Sequence, residues 1–212
     1  MALTDSPKLD RLYKFFNTYG RERLDGLDRS FFRDMSPDES AGAWDFLSLR
    51  FAESVDKITG LYLLDEGRAI ERFKQALDSP MPLSEYPAAR SADEINRLLM
   101  LRYVTNSDVD PRYIAMLPEF ARSEFEEVRA QFAQSLSIRN ATTEVVTALK
   151  EMVYSESKRL PLASAIFALK NLYGWSYDPS DSRRRSIYML LQSTDPEEKR
   201  AGMSLLEKGP PK

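Results

Sequence analysis

One segment of the chain has a spacing that supports nucleophilic catalysis in some hydrolases. Residues Ser155-Glu156-Ser157-Lys158 form an S-x-x-K pattern, in which a serine attacks and a lysine of lowered pKa serves as its base. The 212 residues include no histidine and no cysteine, which excludes Ser-His and Cys-His pairs and thiolate metal sites. The segment falls in a predicted turn between two helices, where Ser157 would cap the second helix. We therefore expect it to be structural.

Carboxylates are the other side chains that could do chemistry, either as acid–base pairs or as ligands of a hard cation. No group of them has the spacing of a calcium loop. The densest groups of carboxylates lie at predicted turns or in first helical turns, where negative charge complements the helix dipole. We expect no metal, no cofactor and no catalytic residue. The densest groups are Asp108 with Asp110, Glu124 with Glu126 and Glu127, and Glu197 with Glu198.

The basic triplet Arg183-Arg184-Arg185 is a candidate for phosphate contact. Three successive helical residues spread over about 200° of the helix surface, so exposed or locally paired arginines are the favoured interpretation. The 30 basic and 33 acidic residues are distributed along the chain without a strongly polarised block. A nucleic-acid binder usually has a concentrated basic face. The composition therefore disfavours nucleic acid and an anionic membrane as partners.

An aromatic turn near the C-terminus is a candidate partner-binding surface. Gly174 suits a helix C-terminus, which leaves Trp175 and Tyr177 beyond the helix and close to Asp178 and Asp181. The two aromatic side chains could anchor a partner while the aspartates attract a basic one. The alternative is that the aromatic side chains fold back onto the neighbouring helices. We predict that this turn contributes to partner binding.

A Pro-rich segment, residues 79–90, contains a second candidate. Tyr86 lies within it and has the same two interpretations, a partner anchor or a side chain folded onto nearby helices. Loops tolerate sequence change better than a core, which suits a surface that must match one partner. We predict that Tyr86 assists the aromatic turn. Trp44, by contrast, lies on an apolar helical stripe and is predicted to be a core residue.

The elements that position these residues are predicted to be helices. Leu and Ala occur 45 times and Val and Ile only 14 times, a balance that favours helix over strand. We expect one all-α domain over residues 1–212, with irregular helices in 1–104 and three helical hairpins in 110–209. Cap patterns mark helix starts at Ser6-Pro7, at Ser36 with Glu39, at Ser91 with Glu94, and at Asp110-Pro111.

The second half of the chain shows a loose repetition of paired helices. Equivalent helix starts are 32 to 38 residues apart, a period typical of an α-solenoid. An irregular helical bundle is the alternative. The first helices are predicted to begin near Asp110, Thr142 and Ser180, and the second helices near Ser123, Ser157 and Asp195.

These second helices resemble the second helix of HEAT-type repeats. EEVRAQFAQSL and DPEEKRAGMSLLEKG have an acidic start, a basic residue at Arg129 or Arg200, and then small and leucine positions. Pro118 matches the bend found in the first helix of many such repeats. The middle repeat departs from the pattern, because basic residues 158–159 replace its acidic start. The resemblance implies a HEAT-like α-solenoid, a right-handed superhelix of helical hairpins.

In size, charge and missing chemistry the chain resembles the cytoplasmic immunity proteins of bacterial polymorphic toxin systems. That resemblance implies that the chain is the non-enzymatic member of a toxin–antitoxin pair. It would bind a basic toxin domain and occlude the toxin's active site by protein–protein interaction. The sequence shows no secretory signal and no apolar stretch of the roughly 20 residues that cross a membrane. We therefore expect a cytoplasmic protein.

Two other functions are consistent with a helical-repeat sequence. A HEAT-like DNA-lesion glycosylase resembles the chain in size and can work without histidine, through aromatic side chains and a carboxylate. Such enzymes have a strongly basic concave face, whereas the net charge here is −3. A helical-repeat scaffold or adaptor is the other alternative. Salt-dependent DNA binding would distinguish the glycosylase from both protein-binding functions.

Overall fold

The computed structural model describes residues 6–18, 26–80, 82–175 and 182–210. The described residues form helices, turns and connections with no strand among them, so the predicted all-α class is confirmed. No helix in these ranges is both long and apolar enough to cross a membrane. The α-helices are α1 (Pro7–Asn17), α2 (Pro37–Ser48), α3 (Val55–Leu64), α4 (Glu66–Asp78), α5 (Pro87–Ser107), α6 (Pro111–Ile114), α7 (Glu126–Ser135), α8 (Thr143–Ser155), α9 (Arg159–Leu172), α10 (Ser182–Gln192) and α11 (Pro196–Glu207).

Side-chain caps start several of these helices where the sequence predicts them. Ser6 accepts a hydrogen bond from the Leu9 amide at 3.3 Å. Ser36 and Glu39 form a complete capping box, with bonds of 3.2 Å and 2.8 Å in the two directions. Thr142 and Asp195 cap α8 and α11. These caps satisfy amides that have no partner within the helix.

The predicted helix start at Ser91 is wrong. Helix α5 begins at Pro87, and the Arg90 amide already donates to the Tyr86 carbonyl oxygen at 2.9 Å. Proline is well suited to a first helical turn because its missing N–H would have no helical partner there. Ser91 is consequently a buried residue inside the helix. The connection between α4 and α5 is therefore shorter than the Pro-rich segment suggests.

The predicted first helix of the repeat region is also interrupted. Asp110 caps α6, as expected, and accepts from the Arg112 amide at 2.9 Å, but α6 ends at Ile114. A 3₁₀ helix, Leu117–Arg122, follows and contains Pro118 near its start. A proline ring cannot continue an α-helical hydrogen-bond ladder, which explains the change of helix type at this point.

The chain divides into two compact units, residues 1–103 and 104–212, here called the N-terminal and C-terminal units. In the N-terminal unit, α3 packs against both α2 and α4. Four stacked aromatic rings join its core to α5. Ring centroids lie 5.9 Å apart for Phe51 and Phe73, 6.0 Å for Phe73 and Tyr103, and 4.1 Å for Tyr103 and Tyr62.

In the C-terminal unit, sequential helices pack in pairs. Helix α8 packs against α9, α10 against α11, and α7 against both α9 and the 3₁₀ helix. A polar contact accompanies the α7–α9 packing, because Gln134 donates to the Ser164 hydroxyl at 3.1 Å. Helix α11 reaches α8 through Lys150 and Glu207, whose charged atoms lie 2.6 Å apart.

Candidate functional site

The structure gives the S-x-x-K segment a structural role. The Ser155 hydroxyl donates to the Glu151 carbonyl oxygen at 2.8 Å, and Lys158 is exposed. The predicted Ser157 cap is wrong: Lys158 occupies the cap position of α9, and its amide donates to the Glu156 carboxylate at 2.8 Å. Helix α9 therefore begins without a side-chain cap. No serine–lysine pair forms at this turn.

Glu156 forms a buried ion pair with Arg129. The two charged atoms are 2.6 Å apart and both side chains are largely buried. Arg129 also donates to the Ser123 carbonyl oxygen at 2.7 Å. Burial by itself would raise the pKa of Glu156, but the Arg129 guanidinium and the amides of Lys158 and Ser157 hold it below its ordinary value. The pair joins α7 to the α8–α9 turn.

Most of the carboxylates singled out in the sequence lie at helix starts, while Asp108 and Glu124 lie in the connections before α6 and α7. Asp110 caps α6, while Glu126 with Glu127 and Glu197 with Glu198 lie in the first turns of α7 and α11. Negative charge at these positions complements the helix dipole. Over the residues that the structure describes, no group of three or more acidic side chains is arranged to hold a metal ion.

Trp175 is buried, and the prediction of an exposed anchor there is wrong. Only 4% of the residue is exposed, and its indole N–H donates to the Leu206 carbonyl oxygen at 3.1 Å. Gly174, with φ +78°, turns the chain at the end of α9. The Trp175 amide donates to the Lys170 carbonyl oxygen at 2.9 Å and the Gly174 amide to that of Asn171 at 3.1 Å. These two bonds form a Schellman motif, which folds Trp175 back onto the helix.

The rest of the predicted partner-binding set has mixed outcomes. Tyr177, Asp178 and Asp181 lie outside the described residues. Tyr86 is 78% exposed at the start of α5, so it stays a candidate for partner contact. Arg184, in the basic triplet, is buried and donates to the Trp175 carbonyl oxygen at 3.1 Å. The middle arginine therefore has a structural role.

The N-terminal unit contains a groove that was not predicted from the sequence. We call it the α2–α4 groove. It runs between Trp44 and Ser48 of α2 and Arg68 and Arg72 of α4, in adjoining depressions of about 360 Å³ and 330 Å³. Helix α4 is amphipathic: one face is buried, and the two arginines lie on the opposite face, one turn apart.

Each groove arginine lies over an aromatic ring. The Arg68 guanidinium carbon is 3.9 Å from the centre of the Trp44 ring, and the Arg72 guanidinium carbon is 5.4 Å from that of Phe51. Trp44 is buried, as predicted for a core residue, yet one part of it forms the groove wall. Stacking on a ring orients a guanidinium and leaves its N–H groups available at the edge of the plane.

The groove ends in a cleft of about 260 Å³, here called the terminal cleft. Its wall follows a strained turn: Arg50 has a left-handed backbone with φ 53°, which turns Phe51 inwards and leaves Leu49 exposed. Arg72 and Ser48 line both the cleft and the groove, so the two are continuous. The apolar lining consists of Phe51, Ala52, Ala76, Pro80, Pro82, Leu83 and Met100.

The carboxylates that line this surface are occupied by other groups. Asp65 caps α4 by accepting from the Arg68 amide at 3.0 Å, and Glu71 pairs with Lys74 at 3.1 Å. In the terminal cleft, Glu53 pairs with Arg50 at 2.6 Å and Asp93 accepts from the Ser84 amide at 2.9 Å. Neither Arg68 nor Arg72 pairs with a carboxylate among the described residues.

This arrangement favours binding over catalysis. Two oriented guanidinium groups can donate paired hydrogen bonds to carboxylate or phosphate oxygens, and the terminal cleft can accept an apolar group. The sequence carries one part of the signal, the four-residue spacing of Arg68 and Arg72. Their aromatic partners are more than twenty residues away in sequence, so only the fold brings the two kinds of residue together.

Comparison of the chain with protein-family models, curated proteins and solved structures finds no match.

Proposed function

We propose that the protein is a non-catalytic protein-binding module that neutralises a bacterial toxin by occluding its active site. The α2–α4 groove carries the proposal. Arginine and aromatic residues dominate binding energy in protein interfaces, and the groove combines both types with an adjoining apolar cleft. Its arginines are exposed and form no ion pair with the described carboxylates. They therefore contribute little to stability and are available to bind a partner.

The partner is proposed to be a basic toxin domain. The N-terminal unit has 15 basic and 18 acidic residues, and such an excess favours approach of a positively charged protein at long range. Contacts within the groove act over a shorter distance than the screening length of about 8 Å. The partner would therefore have a net positive charge, to which the acidic unit is attracted at long range, and a local group that the groove arginines contact.

The C-terminal unit is proposed to be a HEAT-like α-solenoid, a right-handed superhelix of helical hairpins. Packing of α9 along both α8 and α7 supports this arrangement, as does the helix interruption at Pro118. The Arg129–Glu156 pair joins α7 to the turn that follows α8, and equivalent contacts between repeats are typical of stacked hairpins.

Titration of a purified partner tests the proposed function. The full chain would be used to isolate its partner from host-cell extract, and the partner's own enzymatic activity would then be measured against added chain. We expect activity to fall in proportion to the chain and to vanish near one equivalent, with the chain recovered unchanged. Undiminished partner activity at saturation, or chemical conversion of the partner by the chain, would contradict the proposal.

A further inference from the structure

We propose that the α2–α4 groove binds an extended acidic segment of the partner, with two carboxylates at alternate positions and one apolar side chain. Arg72 and Arg68 would each hold a carboxylate, and the terminal cleft would hold the apolar side chain. The inference rests on the proposed protein-binding function and adds the chemistry of the segment that is recognised. Three features of the groove lead to it.

The first feature is the spacing of the two arginines. Residues four apart on a helix are separated by about 6 Å along its axis. Alternate residues of an extended chain are separated by roughly 6.5 Å and point to the same side. A segment lying along α4 would therefore present successive same-side carboxylates to Arg72 and then Arg68 without distortion. Each guanidinium is already oriented by the ring beneath it.

The second feature is that the carboxylates next to the two arginines already have other partners. Two acidic residues line the groove beside the arginines. Asp65 accepts a hydrogen bond from the Arg68 amide, and Glu71 forms an ion pair with Lys74. Arg68 and Arg72 have no carboxylate partner among the described residues. A carboxylate supplied from outside would form charge-assisted hydrogen bonds without first displacing one from the protein.

The third feature is the terminal cleft. Its volume of about 260 Å³ lies just below the usual range for small-molecule pockets, roughly 300–1,000 Å³, and is adequate for a single large side chain. Ser48 lies at the junction of cleft and groove, so a side chain held in the cleft would be continuous with a segment lying along the groove.

A protein segment fits these features better than a nucleic acid. Phosphates could replace the carboxylates on the two arginines, but the N-terminal unit has an acidic excess, which opposes a polyanion. The apolar lining of the terminal cleft, which includes Phe51, Leu83 and Met100, requires an apolar side chain next to the charged groups. An acidic peptide with one hydrophobic residue supplies both.

Selection from a displayed library of random peptides tests the proposal. The full chain is the bait, and the double variant Arg68→Glu/Arg72→Glu is used in parallel. We expect selected peptides to share one large apolar residue and acidic residues at alternate positions. Their affinity should fall by about tenfold or more for the double variant, since reversed charges repel the carboxylates.

A charge-matched control separates the groove from general electrostatics. Arg33→Glu/Arg102→Glu makes the same charge change at two exposed arginines that do not line the groove, and we expect less than about a twofold effect on affinity. Circular dichroism of both double variants should show unchanged helix content. Equal losses for the two variants would overturn the proposal.

The remaining outcomes also decide the question. Peptides that lack acidic residues, or that bind the groove variant unchanged, would overturn the acidic-segment inference while leaving protein binding intact. Failure to enrich any peptide would overturn the inference, whereas the partner titration above judges the proposed function separately. Groove-dependent binding of a single-stranded oligonucleotide with no peptide enrichment would instead assign the surface to nucleic acid.

Discussion

Two cationic side chains in the C-terminal unit and two in the N-terminal unit have opposite roles. In the C-terminal unit, Lys199 and Arg184 are buried and donate to the backbone carbonyl oxygens of Val153, at 2.6 Å, and Trp175, at 3.1 Å. In the N-terminal unit, Arg68 and Arg72 are exposed and lie over aromatic rings. The groups around a cation, more than its residue type, therefore indicate whether the cation stabilises the fold or is available to a partner.

Because Lys199 and Arg184 are buried, replacing either of them should lower the free energy of unfolding. Lys199 donates to a carbonyl near the end of α8, where the helix dipole favours positive charge, and burial lowers its pKa. An exposed cation–π contact contributes only about 0.5–1 kcal/mol. Substitutions of the buried cations in the C-terminal unit should therefore reduce stability, while substitutions of the arginines in the α2–α4 groove should mainly reduce binding.

Trp175→Ala should have the largest effect on stability. The change leaves a cavity beside α9 and removes the indole hydrogen bond to Leu206, so we expect a loss of about 4 kcal/mol in the free energy of unfolding. Chemical denaturation followed by circular dichroism measures it. The control is Tyr86→Ala, an exposed aromatic that should cost less than about 0.5 kcal/mol. Similar losses for both variants would contradict the buried position of Trp175.

Glu156→Gln should have the next largest effect, because it leaves Arg129 buried without an opposite charge. We expect a loss of about 3 kcal/mol at neutral pH. The pKa of Glu156 is lowered in the folded state, so the ionised carboxylate stabilises the fold above the ordinary value of 4.5. This stabilisation is lost as pH falls through the lowered pKa. Denaturation curves at several pH values should show wild type and variant converging in acid. A constant difference would contradict the ion pair's role.

Lys199→Met should have a smaller effect of about 1 kcal/mol. The variant loses the hydrogen bond to the Val153 carbonyl oxygen, but methionine avoids the cost of burying a charge. Thermal and chemical unfolding provide the measurement. Arg200→Met, at an exposed residue of the same helix that pairs with Glu197, is the matched control and should be nearly neutral. If both variants unfold alike, Lys199 is not a structural cation.

The paired change Arg68→Gln/Arg72→Gln should have the smallest effect on stability. Loss of two exposed cation–π contacts should cost about 1 kcal/mol or less in total. Differential scanning calorimetry would detect a larger change. A loss comparable to that of Trp175→Ala would show that these arginines maintain the fold, and it would remove the contrast between the two units.

Local chemistry explains which parts of the fold could be predicted. Ser36, Thr142 and Asp195 cap helices as expected because a cap depends on residues within one helical turn. The error at Ser91 arose where two local signals compete, and the proline at the first turn of α5 determines the start. Helical composition likewise predicted the all-α class, which is confirmed.

Long-range packing explains what could not be predicted at the candidate site. Trp175 follows a glycine that ends α9, and the Schellman pattern at Gly174 is a local signal that its side chain would fold back. For the α2–α4 groove, the four-residue spacing of Arg68 and Arg72 is the local signal, and it does not reveal the aromatic partners. Trp44 and Arg68 are 24 positions apart, and their contact depends on how α2, α3 and α4 pack. A buried tryptophan can line a groove only once that packing is known.

Hydrogen exchange of the full chain, with and without a library-selected peptide, shows which unit binds the peptide. Bound peptide should slow amide exchange in α2 and α4 and around the terminal cleft, and leave α8 to α11 unchanged. This pattern would place binding in the N-terminal unit, where Arg68 and Arg72 remain available. Protection confined to α9, α10 and α11 would contradict peptide binding in the α2–α4 groove, because it would place the binding site in the unit whose buried cations stabilise the fold.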